Sequence, residues 1–368
     1  MKSTTFAAVL ALATMVIAAP VAPAKRQCSA PVPVPSSTST PDPVPTSTPE
    51  TPSTSVPEPP STDTPTSSDP PAPTETATPP PSGGGSASSG PWFSVYADTG
   101  VTADNFPTPD QLGDWNDLIL AFWLSAGAWD SAFIWTSLDA GKRKEILDSY
   151  HAAGKKIRVA AFGATEFPLM SGGDPTTIGN NLAAFVKQYE LDGVDIDYED
   201  SASFESATGG GEEFLITLTK VLREQLPSPQ YVISHAPQSP YFTTGDKYPN
   251  KAYLKVHQEV GDLIDMYEMQ WYNQGSGAYE SCDGLWNKSP DAWPGTTVSE
   301  IVASGIPGSK IVIGKPGQQG DANNGLMAPA DIGACITSKN GAHEANGVMA
   351  WQWSHAGADW IAAAKGNL

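Results

Sequence analysis

The chain has little positive charge and few residues of the kinds that bind metals. Its 368 residues include 20 lysines and arginines against 40 aspartates and glutamates, a formal net charge of −20 at pH 7. Such an acidic protein repels phosphate backbones and anionic lipids, so we expect neither nucleic acid nor a membrane surface among its partners. The five histidines are scattered singly, with no HExxH or paired-ligand spacing. We therefore expect neither a metal site nor a cofactor.

The apolar run at the N terminus, Phe6–Ile17, is too short to cross a membrane. A lysine precedes it and small residues follow it, which is the pattern of a secretory signal peptide over residues 1–19. The dibasic pair Lys25-Arg26 then ends a candidate propeptide over residues 20–26. We expect a secreted protein, extracellular or associated with a cell wall.

Cysteine is also scarce, with three residues in the whole chain. Cys282 and Cys335 lie in the region predicted to fold, and a secretory route permits a disulfide between them. Cys28 would then be left either free or paired to another molecule.

Residues 27–90 contain almost only proline, serine, threonine and small residues. Such a segment cannot bury enough apolar surface to fold, so we predict a disordered linker or stalk that ends in a flexible glycine-serine joint. The remaining residues, 91–368, have the length of one α/β barrel. We expect this single catalytic domain to be a monomer.

Candidate strands alternate with helical runs along residues 91–368. The eight candidates are Phe93–Tyr96, Leu118–Phe122, Ile157–Phe162, Gly193–Asp197, Tyr231–Ala236, Leu263–Tyr272, Lys310–Gly314 and Gly347–Trp353. This alternation favours a (β/α)8 TIM barrel, with a doubly wound open sheet as the alternative. In a barrel, functional side chains lie at the carboxyl ends of the strands and in the loops beyond them.

The fourth candidate strand carries the most informative stretch of the chain, LDGVDIDYED at Leu191–Asp200. Side chains alternate along a strand, so Asp195, Asp197 and Glu199 share one face. Close carboxylates repel each other, and some must hold protons at neutral pH, as a general acid requires. A solvated acidic face is the alternative, but the apolar helical runs on both sides indicate a buried parallel strand. We interpret the three acids as catalytic.

The sixth and eighth candidate strands add aromatic and amide groups. Period two places Glu268, Gln270 and Tyr272 on one face of the sixth strand, and it aligns Trp351 with Trp353 on the eighth. An indole can cover the apolar face of a sugar ring while amides bond its hydroxyl edge. Together with the acids, these residues outline a carbohydrate site.

Two further residues need a separate interpretation. Glu268 is predicted to face inward one layer below Gln270, and a charge at that depth requires a partner or a raised pKa. Arg158 on the third candidate strand is a possible partner. His235 lies near the site on the fifth strand, where a lone histidine is more often structural than a base.

These segments resemble the family 18 glycoside hydrolases, chiefly the short chitinase type without the α+β insertion domain, over about Phe93–Trp353. The family's D-G-x-D-x-D-x-E motif is matched without substitution at Asp192, Gly193, Asp195, Asp197 and Glu199. APQSP, QWYN and GVMAW resemble the family's strand-five, strand-six and strand-eight segments, in the right order. Where the family usually carries S-x-G-G after strand three, this chain has AFGA at 161–164 and keeps one glycine, which affects substrate fit more than chemistry.

The resemblance also implies the roles of the site residues. Glu199 would protonate the glycosidic oxygen, and Asp197 would orient the substrate's acetamido group, which is itself the nucleophile of a retaining, oxazolinium mechanism. Asp195 would share a proton with Asp197, and Tyr272 would hydrogen-bond the acetamido carbonyl. The implied substrate contacts are Trp351, Gln270, Gln238 and Asn273, and the implied structural motif residues are Asp192 and Gly193.

By this resemblance the chain is a secreted chitinase that hydrolyses β-1,4-N-acetylglucosamine linkages, with chitin or another GlcNAc-containing oligosaccharide as its partner. The same acids would serve an endo-β-N-acetylglucosaminidase acting on the core of N-glycans, which differs in the surrounding loops. A third interpretation is a non-hydrolytic chitin-binding lectin or wall protein. It ranks last, because Glu199, Asp197 and Tyr272 are all present.

Overall fold

The computed structural model describes residues 90–368. The predicted signal peptide 1–19, the candidate propeptide 20–26 and all but the last residue of the linker 27–90 lie outside the described residues, and so does Cys28. Within the described part of the chain, no helix is long and apolar enough to span a bilayer.

Strands and helices alternate along the described residues. The strands are β1 Trp92–Ala97, β2 Asp117–Leu124, β3 Gly127–Ala128, β4 Lys156–Phe162, β5 Gly193–Asp197, β6 Val232–His235, β7 Met266–Gln270, β8 Ile311–Pro316 and β9 Gly347–Trp351. The α-helices are α1 Pro109–Leu112, α2 Asp130–Ser137, α3 Ala140–Ala152, α4 Pro175–Gln188, α5 Ser201–Glu205, α6 Gly210–Gln225, α7 Ala252–Val260, α8 Cys282–Trp286, α9 Val298–Ala303, α10 Pro329–Lys339 and α11 Ala358–Ala364.

All strands except β3 form a closed parallel barrel. They pair in the order β1-β9-β8-β7-β6-β5-β4-β2, and β1 pairs in parallel with both β9 and β2. The two-residue strand β3 folds back antiparallel on the end of β2. Closure confirms the predicted (β/α)8 TIM barrel and rules out the open doubly wound sheet.

Two of the predicted strands extend too far. The sixth was predicted over Leu263–Tyr272, but Gly261–Leu263 forms a 3-10 turn and β7 covers only Met266–Gln270. The eighth was predicted to run to Trp353, whereas β9 ends at Trp351. In both cases the apolar pattern continues past the end of the ladder, because residues next to a buried strand are buried as well.

The barrel wall separates two apolar clusters. On the outer face of β5, Val194 and Ile196 join the large cluster formed with the surrounding helices. Helices α4 and α6 pack against each other in that layer, which confirms the helical runs predicted on either side of the fourth strand. A smaller cluster, including Ile119, Val312 and Met349, lies in the barrel interior. The inner face of β5 therefore carries acidic side chains in place of apolar ones.

Glycines allow close backbone contacts at the start of β5 and in the segment after it. A Cβ atom at Gly193 would lie 2.0 Å from the Val232 carbonyl oxygen, so only glycine allows β5 and β6 to pair here. After the strand, the short helix α5 packs closely on the start of α6, where a Cβ at Gly211 would lie 2.4 Å from Ser203 Oγ. Ser203 in turn bonds the Tyr198 hydroxyl at 2.8 Å. These contacts hold the chain on both sides of Glu199.

The predicted disulfide is present. Cys282 and Cys335 are bonded, with their Cα atoms 5.3 Å apart. Cys282 is the first residue of α8 and Cys335 lies within α10. The bond therefore ties these two outer helices together.

Candidate active site

The three acids of β5 point into the barrel at successive heights. Asp195 is fully buried below, and Asp197 ends the strand. Glu199 lies two residues further on, and it lines the same pocket as Asp197. The predicted common face of the three carboxylates is confirmed.

Asp197 and Glu199 form a close carboxyl pair that the amide of Gln270 bridges. Burial and the repulsion between two neighbouring carboxylates favour a proton on this pair. Gln270 Nε2 donates to Asp197 Oδ1 at 2.8 Å and reaches Glu199 Oε1 at 3.4 Å. Gln238 Nε2 donates to Glu199 Oε2, also at 3.4 Å. The two amides thus position the pair and stabilise its negative charge.

Both members of the pair have raised pKa values. Burial raises the pKa of Asp197 well above its ordinary value, and the charges of Glu199 and Asp195 add to the effect. Burial also raises the pKa of Glu199, while its interactions with Gln270, Gln238 and Asp197 oppose the rise. A raised pKa favours the protonated form of a carboxyl group, which is the form that a general acid needs.

Asp195 is held from below by two hydroxyl groups. Tyr96 OH donates to its Oδ2 at 2.5 Å, and Ser234 Oγ donates to its Oδ1 at 2.6 Å. Burial raises the pKa of Asp195, whereas the charge of Arg158 and these two hydrogen bonds lower it. The sharing of a proton between Asp195 and Asp197 stays a prediction.

The acids open into a cavity of about 350 Å³ at the carboxyl end of the barrel. It is lined by Asp98, Phe122, Asp130, Ala164, Thr165, Asp197, Glu199, Gln270, Tyr272, Asn273, Asp321 and Trp351. The structure thus brings together both acids of the pair, Tyr272 and three of the four predicted contact residues. The fourth, Gln238, does not line the cavity but bonds Glu199. Within residues 90–368, no group of three or more histidine, cysteine or acidic side chains could hold a metal ion.

Trp351 forms one wall of this cavity. Its ring stacks on Phe122 with centroids 5.9 Å apart, and it contacts Tyr96 at 5.7 Å. The prediction that Trp353 shares this face is wrong. Trp353 packs against the outer cluster, because the chain leaves the strand after Trp351 and period two no longer applies.

Tyr272 and Asn273 form the opposite wall. Burial raises the pKa of Tyr272 well above its ordinary value, so its hydroxyl stays a neutral donor. Asn273 Oδ1 accepts from the Asn323 backbone N–H at 2.8 Å, and its own N–H donates to the Asn324 carbonyl at 3.2 Å. Asn273 therefore lines the pocket and also holds the loop that carries Asp321.

The predicted motif residue Asp192 lies at the other end of β5, away from the pocket. Its carboxylate accepts from the Ile157 backbone N–H at 2.8 Å and from His151 Nε2 at 2.9 Å. Asp192 thus joins β5 to β4 and α3. The lone His235 is buried between Thr219 and Tyr253, at 3.2 and 3.1 Å, and burial lowers its pKa to about 3. It is structural, as predicted.

Sequence reasoning missed several residues of the site. Tyr96 could have been found, since it follows Ser94 by two residues on the first candidate strand and shares its inward face. Asp98, Asp130 and Asp321 lie in loops or at a helix start, where no periodicity marks them. Asp321 is held by His355 Nδ1 at 2.6 Å. These acids make the mouth of the pocket more negative than the motif alone implies.

The AFGA segment shapes one side of the mouth. Gly163 has φ 68°, and a Cβ there would lie 2.9 Å from the Phe122 ring. The single glycine that this chain keeps is therefore the one that lets Phe122 stand beside Trp351. Ala164 and Thr165 line the cavity just beyond it.

Below the acids, the prediction that Arg158 is the partner of Glu268 is confirmed. Arg158 Nη2 lies 2.9 Å from Glu268 Oε1, and its Nε donates to Asp117 Oδ1 at 2.9 Å. Arg158 also donates to Ser234 Oγ, which bonds Asp195. Burial opposes its charge, but Asp117 and Glu268 raise the pKa of Arg158. One buried network thus runs from the barrel floor to Asp195, the lowest of the three acids.

Exposed apolar side chains border the pocket on the β2 and β4 side. Among the described residues, the large apolar side chains exposed to solvent are Trp129, Phe133, Phe167 and Met170. The first two stand at the start of α2, beside Asp130, and the last two in the loop after β4, beyond Thr165. Asp130 and Thr165 both line the cavity. Together these four residues form what we call the apolar rim.

Comparison with known proteins agrees with this geometry. A family model described as Glycosyl hydrolases family 18 matches residues 95–363. A family 18 chitinase from Pseudoalteromonas aurantia is 30% identical in sequence, with a TM-score of 0.61 over 74% of this chain and 99% of its own.

Two curated relatives match over shorter stretches. A chitinase of Enterococcus faecalis is 25% identical over 212 residues, which cover 52% of this chain and 56% of that protein. Endochitinase 4 of Metarhizium anisopliae is 27% identical over 224 residues, or 54% of this chain and 75% of that protein. The chain thus spans little more than half the length of the Enterococcus protein. Since the family model covers well over half of the chain, the chain belongs to the glycosyl hydrolases of family 18.

Proposed function

We propose that the protein is a chitinase that hydrolyses β-1,4 linkages between N-acetylglucosamine units. The observation that carries the proposal is the close pair of Asp197 and Glu199, which shares one pocket with Tyr272 and Trp351. The pair supplies an acid, and the tyrosine and the indole supply a hydrogen bond and an apolar surface for a sugar. The relatives named as chitinases support this choice of substrate.

In the first step, Glu199 gives its proton to the glycosidic oxygen as the bond to the anomeric carbon breaks. The raised pKa of Glu199 favours the protonated form that this step uses. After the transfer, the new carboxylate is stabilised by the amide groups of Gln270 and Gln238, which already face it. No side chain has to move to receive the charge.

The nucleophile is the oxygen of the substrate's own acetamido group. A retaining enzyme with a protein nucleophile places its two carboxyl groups about 5 Å apart, one on each side of the scissile bond. Here one amide nitrogen of Gln270 reaches both Asp197 and Glu199, so the two carboxyl groups are neighbours on the same side. Asp197 is then suited to accept the acetamido N–H, while Tyr272 donates to the acetamido oxygen and aligns it with the anomeric carbon.

In the second step, water hydrolyses the oxazolinium intermediate. The Glu199 carboxylate takes a proton from a water molecule, which attacks the anomeric carbon and opens the oxazolinium ring. Two displacements on that carbon return the β configuration, and Glu199 regains its proton. The mechanism requires an N-acetyl group on the sugar that loses its leaving group.

The apolar rim supports a polymeric substrate. Solvent-exposed aromatic and thioether side chains next to a pocket are suited to the apolar faces of further sugar units. A short oligosaccharide would be held by Trp351 and Tyr272 alone, whereas a longer chain would extend over Trp129 and Phe133. We therefore expect affinity to rise with chain length.

The test uses the full chain with three substrates, analysed by mass spectrometry and by NMR of the anomeric proton. We expect a GlcNAc hexamer to be shortened with β products first. An oligomannose glycopeptide and a hexamer whose N-acetyl groups are replaced by free amines should stay intact. A glycopeptide left with a single GlcNAc would identify an endo-β-N-acetylglucosaminidase instead. Cleavage of the amine hexamer, or α products, would refute the mechanism, and an uncleaved but bound hexamer would identify a lectin.

We also propose that the protein is secreted. The signal-like N terminus and the disulfide between Cys282 and Cys335 support this, because disulfides persist mainly in oxidising compartments. The expected result is a culture-medium protein whose first residue lies after residue 19 or after the dibasic pair. Retention of the intact N terminus inside the cell would contradict it.

A further inference from the structure

Lys315 is a buried lysine that the proposed chemistry does not use. It lies near the end of β8 on the outer side of the barrel wall, with no solvent exposure. Its Nζ donates to three backbone carbonyls, those of Trp271 at 3.0 Å, Tyr279 at 2.6 Å and Gly325 at 3.1 Å. An ammonium group has three N–H donors, so this arrangement satisfies all of them.

The three carbonyls belong to two segments that build one wall of the pocket. Trp271 directly precedes Tyr272 and Asn273, and Tyr279 ends the loop that follows them. Gly325 follows the segment that carries Asp321 and the two asparagines bonded to Asn273. Lys315 is thus the point at which the two segments are tied together.

The contact between these segments is too close to shift without consequence for Tyr272. A Cβ at Gly325 would lie 2.5 Å from the Tyr272 Cα atom, so the backbones are in direct contact. Glu280 strengthens the junction, because its Oε1 accepts from the Gly325 N–H at 3.1 Å. A small movement of either segment would therefore change the direction of the Tyr272 hydroxyl.

We infer that Lys315 is a positioning residue for the reaction, which fixes Tyr272 toward the substrate by clamping the two segments behind it. The inference rests on the proposed function, because it assigns Lys315 to the group that orients the acetamido oxygen. Loss of the clamp should leave the fold intact and reduce the contribution of the Tyr272 hydroxyl to kcat/KM.

The charge state of Lys315 decides whether all three carbonyls are bonded. Burial lowers its pKa to about 7, and the nearby Glu280 acts in the opposite direction. A neutral amine has two N–H donors and would leave one of the three carbonyls unbonded. Among the charged groups of the neighbouring segments, Glu280 is the one that acts on Lys315.

The test is a double-mutant cycle between Lys315→Met and Tyr272→Phe, with kcat/KM measured on the GlcNAc hexamer. If Lys315 acts through the hydroxyl, Lys315→Met should lower kcat/KM at least about tenfold in the parent and less than about twofold in the Tyr272→Phe background. Equal losses in both backgrounds would overturn the inference, because a general structural effect is additive.

Lys310→Met is the matched control. Lys310 Nζ also donates to backbone carbonyls, those of Gly261 at 2.8 Å and of Ile264, but at the opposite end of β8. Its kcat/KM should stay within about twofold of the parent, and no coupling with Tyr272→Phe is expected. Should Lys315→Met not fold, Lys315→Gln keeps part of the donors and enters the same cycle.

A second readout separates this inference from the proposed function. Hydrogen exchange of the full chain should become faster in the peptides around residues 271–280 and 321–326 in Lys315→Met, with other peptides unchanged. If the parent neither binds nor cleaves the hexamer, the chitinase proposal fails, and this pattern still tests the clamp. Unchanged exchange in these peptides, or faster exchange everywhere, would overturn it.

Discussion

Replacing Glu268 by glutamine would remove a charge from the barrel interior with almost no change in shape. Glu268 Oε1 accepts from Ser94 Oγ at 2.8 Å and faces Arg158 Nη2 at 2.9 Å. Its Oε2 is buried and has no hydrogen-bond partner within residues 90–368. Arg158 is already matched by the carboxylate of Asp117, which takes two of its nitrogens. Because Asp117 already balances the positive charge of Arg158, an ionised Glu268 would not be fully neutralised.

The size of the effect follows from the pKa. Burial raises the pKa of Glu268 from 4.5 to about 8, and Arg158 offsets only part of the rise. A difference of that size corresponds to ~5 kcal/mol between the two protonation states. Because the folded-state pKa is the higher one, this contribution to stability is fully present below about pH 4.5 and is lost as the pH rises through about 8. Glutamine does not ionise, so it should not lose stability in this window.

The assay is urea unfolding of parent and Glu268→Gln at pH 5 and pH 9. Relative to the parent, the variant should gain about 3–5 kcal/mol between the two pH values. The other raised carboxyl groups, such as Asp197, titrate in both proteins and cancel in the difference. Glu145→Gln, at an exposed position, is the control and should change stability by less than about 0.5 kcal/mol. A difference between variant and parent that does not depend on pH would refute the reasoning.

Three further predictions concern the site and its support. Glu199→Gln should lower kcat on the GlcNAc hexamer about 10²- to 10⁴-fold with little change in KM, and a loss below tenfold would contradict its role as the acid. Tyr96→Phe removes the 2.5 Å hydrogen bond to Asp195 and should lower kcat/KM about 10- to 100-fold, so parent-like kinetics would rule out a role for this bond. The double variant Cys282→Ser, Cys335→Ser should lose about 2–5 kcal/mol of stability in thermal or urea unfolding, with kcat unchanged because neither cysteine lines the pocket.

The barrel and its acids could be predicted because short-range patterns specify them. Period two along β5 fixes which side chains share a face, and this holds wherever the backbone stays extended. The helices on both sides of β5 then decide that the apolar face is the outer one. Once Asp197 and Glu199 face inward at the end of a barrel strand, Gln270 and Tyr272 on a neighbouring part of the sheet fall near them.

The remaining parts of the site depend on contacts that no local pattern records. Asp321 reaches the pocket through a loop held by Asn273 and His355. Trp353 was placed on the wrong face because alternation stops where β9 ends. Lys315 appears in the sequence as one charge in an apolar run, and its three carbonyl partners come from other segments. Such contacts are set by where the loops close, which the period of a strand does not determine.

The buried network explains why the transferable proton belongs at the top of the barrel rather than at its floor. Burial raises the pKa of Asp195, but the charge of Arg158 and the hydrogen bonds from Ser234 and Tyr96 oppose that rise. Burial raises the pKa of Asp197 well above its ordinary value, and the charges of Glu199 and Asp195 raise it further. A proton held by the three acids is therefore favoured on the pair of Asp197 and Glu199, next to which the glycosidic oxygen would lie. Arg158 does not line the pocket, yet its charge would affect the fraction of Glu199 that is protonated.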